Sequence, residues 1–100
     1  MAKKVTRTNG EGVFGLFKIL GDRNRYNTLT LLLRSKNGLC VQTIAEKLDM
    51  SHSAVSHLLG NLHDSGVVSY SREGREIRYT IATSSMGQKI VRLLQALKTS

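Results

Sequence analysis

The sequence predicts a mainly α-helical domain that carries one small β-hairpin. Most of its 100 residues show apolar positions at helical spacing, whereas the segment around position 79 alternates strictly, with Ile77, Tyr79 and Ile81 separated by polar residues. Residues 51–68, just before that segment, combine a serine suited to a helix N-cap, a polar edge and a glycine stop. A chain of this length supports a single core, so we expect one domain over residues 13–98.

The N-terminal part is predicted to hold an arm and two helices. Residues 1–12 are polar and basic and are expected to form a mobile arm. A first helix begins at Val13 and is closed by Gly21. Asp22 then opens a second helix, which the pair Asn37-Gly38 is expected to end.

A helix-turn-helix is predicted next. Val41 to Leu48 has the spacing of a short third helix, and the turn at Asp49-Met50 leads directly to Ser51, the N-cap of the fourth. Two short helices joined by so brief a turn are typical of a helix-turn-helix. The hairpin that follows, with its turn at Glu73-Gly74, would make the arrangement a winged helix-turn-helix.

The last predicted helix, residues 84–98, carries an apolar stripe close to a heptad seam, formed by Met86, Ile90, Leu93, Leu94 and Leu97. Such a stripe often belongs to the core of its own chain. The first and last helices together, however, offer more apolar surface than a small DNA-binding head needs. We therefore expect a homodimer that forms through the first and last helices.

The charge of the chain predicts an anionic partner. Fifteen Lys and Arg residues outnumber seven Asp and Glu residues, for a formal net charge of +8 and an isoelectric point near 10.2. Double-stranded DNA is the leading candidate. A membrane is not expected, since no long apolar run and no signal peptide are present. The single cysteine excludes an internal disulfide, which together with the missing signal peptide favours a cytoplasmic protein.

The fourth helix and the hairpin carry the candidate DNA-binding residues. Ser53, Ser56 and His57 are predicted to share the exposed edge of the helix and to approach base edges or nearby phosphates. Arginines of the hairpin are predicted to surround its tip and reach phosphates or the minor groove. An amphipathic helix followed by a solvated turn is the alternative. The complete predicted set is Lys47, Ser51, His52, Ser53, Ser56, His57, Asn61, Arg72, Arg75 and Arg78.

Several short motifs, in order, resemble the ArsR/SmtB family of bacterial winged-helix regulators. They are LGD at 20–22, LCV at 39–41, IAEKL at 44–48, SHSAVSH at 51–57 and REGR at 72–75. The resemblance covers about residues 16–97. Each motif alone is a weak signal, and only the motifs taken together are specific for the family. It implies a dimeric repressor that binds a palindromic operator and is released when an effector binds the protein.

The departures from the family pattern are also informative. Gly60 stands where relatives often have a lysine, which removes a phosphate contact that the resemblance would imply. Gln42 replaces the second cysteine of one common metal site, and no Asp, Glu, His or Cys follows Glu76 to build the other. We therefore expect no metal and no cofactor, and the effector remains unidentified.

Cys40 is the one candidate sensor residue. It lies at a helix start, where the helix dipole favours a thiolate and hence oxidation or alkylation. The alternative is a partly buried small hydrophobic residue, which is the more common role of a single cysteine.

Enzymatic functions are not expected. The few acids and the single cysteine do not assemble into a nucleophilic triad, a carboxylate pair or a phosphate-binding glycine loop. Two alternatives to a sequence-specific regulator stay open, namely an architectural or nonspecific nucleic-acid binder and a dimeric protein-interaction module. Sequence-specific affinity for DNA would separate the regulator from both.

Overall fold

The computed structural model describes residues 14–99, with side chains as far as Leu97, so the predicted arm over residues 1–12 lies outside the described residues. Within that range the chain forms five helices and a two-stranded antiparallel hairpin. The elements are α1 (residues 14–20), α2 (Arg23–Arg34), α3 (Val41–Leu48), α4 (His52–Asp64), β1 (Val68–Glu73), β2 (Glu76–Ile81) and α5 (Ser85–Thr99). Their order is the predicted one.

One hydrophobic core joins all of these elements except the outer part of the hairpin. Leu29 of α2, Ile44 of α3 and Leu59 of α4 are completely buried, and Ile90 brings α5 onto the same core. Burying side chains of this size contributes about 1.5–3 kcal/mol each before the entropy of ordering them is counted. The core therefore fixes how α3 and α4 are held relative to the hairpin, which positions the candidate interface.

The second helix begins where predicted but ends earlier. The Oδ2 atom of Asp22 accepts the backbone N–H of Arg25 at 3.0 Å and caps the first turn. The prediction that Asn37-Gly38 ends the helix is wrong, because Ser35 already has extended backbone angles and donates its N–H to Leu32. The four residues before Leu39 instead form a loop that lies against β2.

Gly38 is required by the packing of this loop. Its φ of +81° lies in the left-handed region, and a Cβ atom there would lie 2.8 Å from the carbonyl oxygen of Tyr79. Immediately afterwards Leu39 pairs with Tyr79 through two backbone hydrogen bonds of 3.0 and 2.9 Å. The loop before α3 is thus attached to the edge of the hairpin.

The hairpin has the predicted alternation but a turn shifted by one residue. Glu73 pairs with Glu76 to close the sheet, so the two turn residues are Gly74 and Arg75 rather than Glu73 and Gly74. Gly74 adopts a φ of +66°, which favours glycine at this first turn position and determines the register. The face carrying Tyr70 and Tyr79 packs toward the helices, and the opposite face carries the charged residues of β2.

Candidate nucleic-acid interface

The fourth helix is held with its N-terminus exposed. Ser51 caps it, as predicted, by accepting the N–H of Ala54 at 3.0 Å, while its own backbone stays extended. Val55, Leu59 and Leu62 are buried and determine which side of the helix faces the core. The opposite side is exposed over the whole length of the helix.

The turn before α4 sets its angle to α3. Asp49 ends α3 in the left-handed conformation, with a φ of 55°, which the short polar side chain of an aspartate tolerates. The N–H of Met50 bonds the carbonyl of Ala45 at 2.9 Å, which closes the end of α3 and leads the chain into α4. Together α3, this turn and α4 form the helix-turn-helix, with Lys47 exposed near its corner.

The predicted contact residues of α4 occupy three sides of the helix. Ser53 and His57 lie one turn apart on the outermost stripe, which continues through Gly60. His52 and Ser56 lie on the flank that faces the hairpin. All five positions are exposed.

Asn61 lies apart from the other predicted residues. It lines a cleft of about 510 Å³ on the opposite flank of α4, together with Lys18 and Arg25. Arg25 also donates to the carbonyl oxygen of Lys18 at 3.3 Å, which ties the start of α2 to α1. Asn61 therefore shares an environment with α1 and α2 rather than with the hairpin.

The arginines of the hairpin differ in their surroundings. Arg75 lies in the turn itself and Arg72 lies opposite Ile77 near the end of β1, and both are exposed. Arg78 lies three residues after Arg75, within β2, where it pairs with Ser71. It contacts Glu76 at 3.1 Å and is half-buried. Of the three arginines predicted around the tip, only Arg72 and Arg75 therefore lie there.

A groove of about 470 Å³ separates the hairpin from the start of the helix-turn-helix. We call it the wing groove; its polar lining residues are Cys40, Gln42, His52, Ser56, Arg75 and Glu76. Gln42 was not among the predicted contact residues. Its place in the first turn of α3 is the sequence signal that would have indicated it, because that turn approaches the DNA backbone in helix-turn-helix proteins.

Cys40 lies at the inner end of the wing groove. It is the N-cap of α3, makes no side-chain cap bond, and is half-buried. Its sulfur lies 3.2 Å from the hydroxyl of Thr43. The contact is a weak hydrogen bond that accounts for the packing of the thiol.

Two other kinds of site are absent from residues 14–99. No group of three or more His, Cys, Asp and Glu side chains lies close enough together to hold a metal ion in this part of the chain. Likewise, none of the helices described there has the length and hydropathy needed to cross a bilayer.

Comparison with known proteins decides the family. CadC of Listeria innocua, a cadmium resistance transcriptional regulatory protein, is 36% identical over 78 residues, which span 78% of this chain and 65% of CadC. The crystal structure of AntR, an antimony-specific transcriptional repressor, has a TM-score of 0.70 at 33% identity and covers 87% of this chain and 77% of its own. The chain belongs to the ArsR/SmtB family.

Further comparisons agree with this ArsR/SmtB assignment. Residues 19–80 match the model of a family described as a domain of unknown function (DUF7343), to which the chain therefore also belongs. The solution structure of the homodimeric winged helix-turn-helix DNA-binding domain of Mb0332 from Mycobacterium bovis, a possible ArsR-family transcriptional regulator, has a TM-score of 0.76 at 27% identity. It covers 93% of this chain and 82% of its own.

Proposed function

We propose that this protein is a sequence-specific DNA-binding transcriptional regulator, which acts as a homodimeric repressor on a near-palindromic operator. The observation that carries the proposal is the exposed, capped start of α4 beside an arginine-bearing hairpin. Ser53 and His57 extend outward from a helix whose other side is locked into the core, and Arg75 lies across the wing groove. The ArsR/SmtB relatives CadC and AntR are named as regulators of transcription.

The proposal divides the interface into two kinds of contact. Ser53, Ser56 and His57 contact base edges in the major groove, where small hydroxyls and an imidazole approach donors and acceptors closely. Other exposed residues of the helix-turn-helix and the hairpin position the DNA backbone. Those residues are Lys47, Ser51, His52, Asn61, Arg72 and Arg75, with Gln42 added from the wing groove. Arg78, also predicted from the sequence, is half-buried and paired with Glu76.

A homodimer is supported by the surface between α1 and α5. A groove of about 340 Å³ there is lined by four apolar residues and two cations: Leu16, Phe17, Leu93, Ala96, Lys89 and Arg92. Phe17 is 62% exposed, and Leu97 further along α5 is 53% exposed. Large apolar side chains exposed on two adjacent helices mark an interaction surface. Binding of a near-palindromic operator requires the two α4 helices of the dimer in successive major grooves, about 34 Å apart, and we propose that a two-fold axis at this surface provides that spacing.

We further propose that regulation does not use the metal sites usual in the family. Cys40 is the only cysteine of the chain, and one thiolate rarely holds a soft metal. Cadmium and trivalent antimony at micromolar concentrations should therefore leave the protein–DNA complex intact. Release by either ion that is abolished in Cys40→Ser would contradict this part of the proposal.

Fluorescence anisotropy tests the function directly. The protein is titrated onto a labelled duplex from upstream of its own gene and onto a scrambled duplex of equal length, at about 0.15 M salt to screen nonspecific attraction. We expect at least a hundredfold preference for one natural sequence. If the upstream duplex is not preferred, selection from random DNA identifies an operator located elsewhere.

Failure to select any sequence would contradict the proposal. Equal, salt-sensitive binding to all duplexes would then indicate an architectural nucleic-acid binder. Absence of DNA binding would instead indicate a protein-interaction module.

A further inference from the structure

The end of the hairpin carries two carboxylates that oppose DNA binding. Glu73 and Glu76 are directly paired across the two strands, and both are exposed. Like charges in directly opposed positions destabilise a hairpin. The same charges repel phosphates at the place where Arg75 is proposed to approach them. A wing of this sequence therefore needs a cation that compensates both acids.

Arg78 is placed to supply that cation. It lies on the same face of β2 as Glu76, two residues along the strand. Its Nε donates to Oε1 of Glu76 at 3.1 Å, and its Nη2 lies 3.1 Å from the same oxygen. The Nε atom is also 3.9 Å from Oε1 of Glu73. One guanidinium thus bridges both carboxylates.

The remaining contact of Arg78 ties the wing to the helix-turn-helix. Its Nη1 donates to the carbonyl oxygen of Gly38 at 3.4 Å, in the loop that precedes α3. Arg72, by contrast, lies on the other face of the hairpin, opposite Ile77. The ends of Arg72 and Arg75 have no hydrogen bond or ion pair within the described part of the chain, which leaves them available to an external anion.

We propose that Arg78 is a positioning residue and not a phosphate contact. It neutralises Glu73 and Glu76 and holds the wing against the loop at Gly38, while Arg72 and Arg75 contact the DNA backbone. The inference rests on the proposed function for its DNA-binding part. It predicts that the importance of Arg78 depends on the two glutamates.

A double-mutant cycle tests this dependence. Arg78→Gln is introduced into the natural chain and into the Glu73→Gln, Glu76→Gln background, and each protein is titrated onto the selected operator. We expect a loss of affinity of roughly fivefold in the natural chain, which corresponds to about 1 kcal/mol summed over the exposed ion pairs of the two wings in a dimer. In the Glu73→Gln, Glu76→Gln protein, called the carboxamide background, we expect a loss of affinity of less than about twofold.

Arg75→Gln serves as the matched control, because it removes the same group three residues away. Its loss of affinity should be the same factor in both backgrounds. If the loss of affinity caused by Arg78→Gln is also the same factor in both backgrounds, the proposal is overturned and Arg78 is assigned to the phosphates.

The same cycle, measured by thermal unfolding without DNA, separates this proposal from the proposed function. Arg78→Gln should lower the melting temperature by about 1–5 °C in the natural chain and by clearly less in the carboxamide background, where only the contact with Gly38 is lost. If the effect of Arg78→Gln on the melting temperature depends on the glutamates but no DNA sequence is bound specifically, the proposed function is contradicted. The role of Arg78 in holding the wing is then supported. If Arg78→Gln changes the melting temperature equally in both backgrounds, the proposed role of Arg78 is overturned, whatever the DNA measurements show.

Discussion

At the scale of single residues, the exposed edge of α4 is not one uniform surface. Ser53 and His57 lie on its outermost stripe, whereas Ser56 is turned toward the hairpin and shares the wing groove with Arg75. The reason is the step of about 100° per residue in an α-helix, which separates positions 53 and 56 by roughly 60° around the axis. Ser56 and Arg75 are therefore neighbours with different proposed partners, a base edge and a phosphate.

The first prediction compares these two neighbours. Ser56→Ala should change which base is preferred at one operator position, because a hydroxyl contact to a base edge is lost. Arg75→Ala should weaken binding to all duplexes alike and reduce the dependence on salt by about one phosphate contact per subunit. Anisotropy on a set of singly substituted operators, at several salt concentrations, measures both. Identical profiles for the two variants would show that the division into base and phosphate contacts is wrong.

The second prediction concerns two helical glycines with different surroundings. Gly60 is exposed inside α4, and an added Cβ would have no atom within 4 Å. Gly60→Ala should therefore raise the free energy of unfolding by about 0.5–1 kcal/mol through helix propensity alone. Denaturant unfolding measures it.

Gly87 of α5 is the matched control for Gly60→Ala. A Cβ there would collide with the carbonyl oxygen of Ala82, so Gly87→Ala should destabilise the protein. Similar effects of the two substitutions would contradict the packing described for the start of α5.

At the scale of elements, the interface depends on how α4 begins and on how the hairpin is attached. Ser84 donates its hydroxyl to the carbonyl of Gly66 at 2.7 Å and accepts the N–H of Gly87 at 3.1 Å, so the start of α5 is joined to the end of α4. His63 at the end of α4 contacts the ring of Tyr70, which contacts Tyr79 across the hairpin. These contacts attach both the hairpin and the start of α5 to the end of α4.

The third prediction concerns the cap of α4. Ser51→Ala should lower the free energy of unfolding by about 1 kcal/mol, because the N–H of Ala54 loses its acceptor. Ser53→Ala, at an equally exposed position two residues later, should be neutral or slightly stabilising, since alanine has the higher helix propensity. Urea unfolding of both variants measures the difference. A Ser53→Ala loss as large as that of Ser51→Ala would argue against the N-cap at position 51.

At the scale of the whole molecule, two surfaces have separate proposed roles. The exposed start of α4 and the hairpin face the proposed DNA, while α1 and α5 present Phe17 and Leu93 to a proposed second copy. A dimer built this way repeats the recognition surface by two-fold symmetry, which matches a near-palindromic operator. Weakening the dimer should therefore weaken DNA binding as well.

The fourth prediction tests that surface. Phe17→Asp replaces the largest apolar side chain of the groove between α1 and α5, which Lys89 and Arg92 also line, with a carboxylate. The loss of apolar contact should shift the protein from dimer to monomer. Ser71→Asp introduces the same charge at an exposed position of the hairpin and should leave the dimer intact. Analytical ultracentrifugation without DNA measures both. A Phe17→Asp protein that sediments as a dimer would place the interface elsewhere.

Local signals in the sequence were sufficient for most of the element boundaries. The N-caps at Asp22 and Ser51, the turn at Asp49-Met50 and the extent of α3 depend on neighbouring residues alone, and the structure confirms each of them. The family could be recognised for the same reason, because its motifs are short and follow one another in order.

Only the tertiary structure decided the features that depend on contacts between distant segments. The early end of α2 follows from the pairing of Leu39 with Tyr79, forty residues further along the chain. Arg78 and Arg75 carry the same charge in the sequence, yet Arg78 is bound to Glu76 and to the loop at Gly38, while Arg75 faces the wing groove. Sequence spacing gives the direction of a side chain from its own element, but the partner that it meets is set by the packing of the elements.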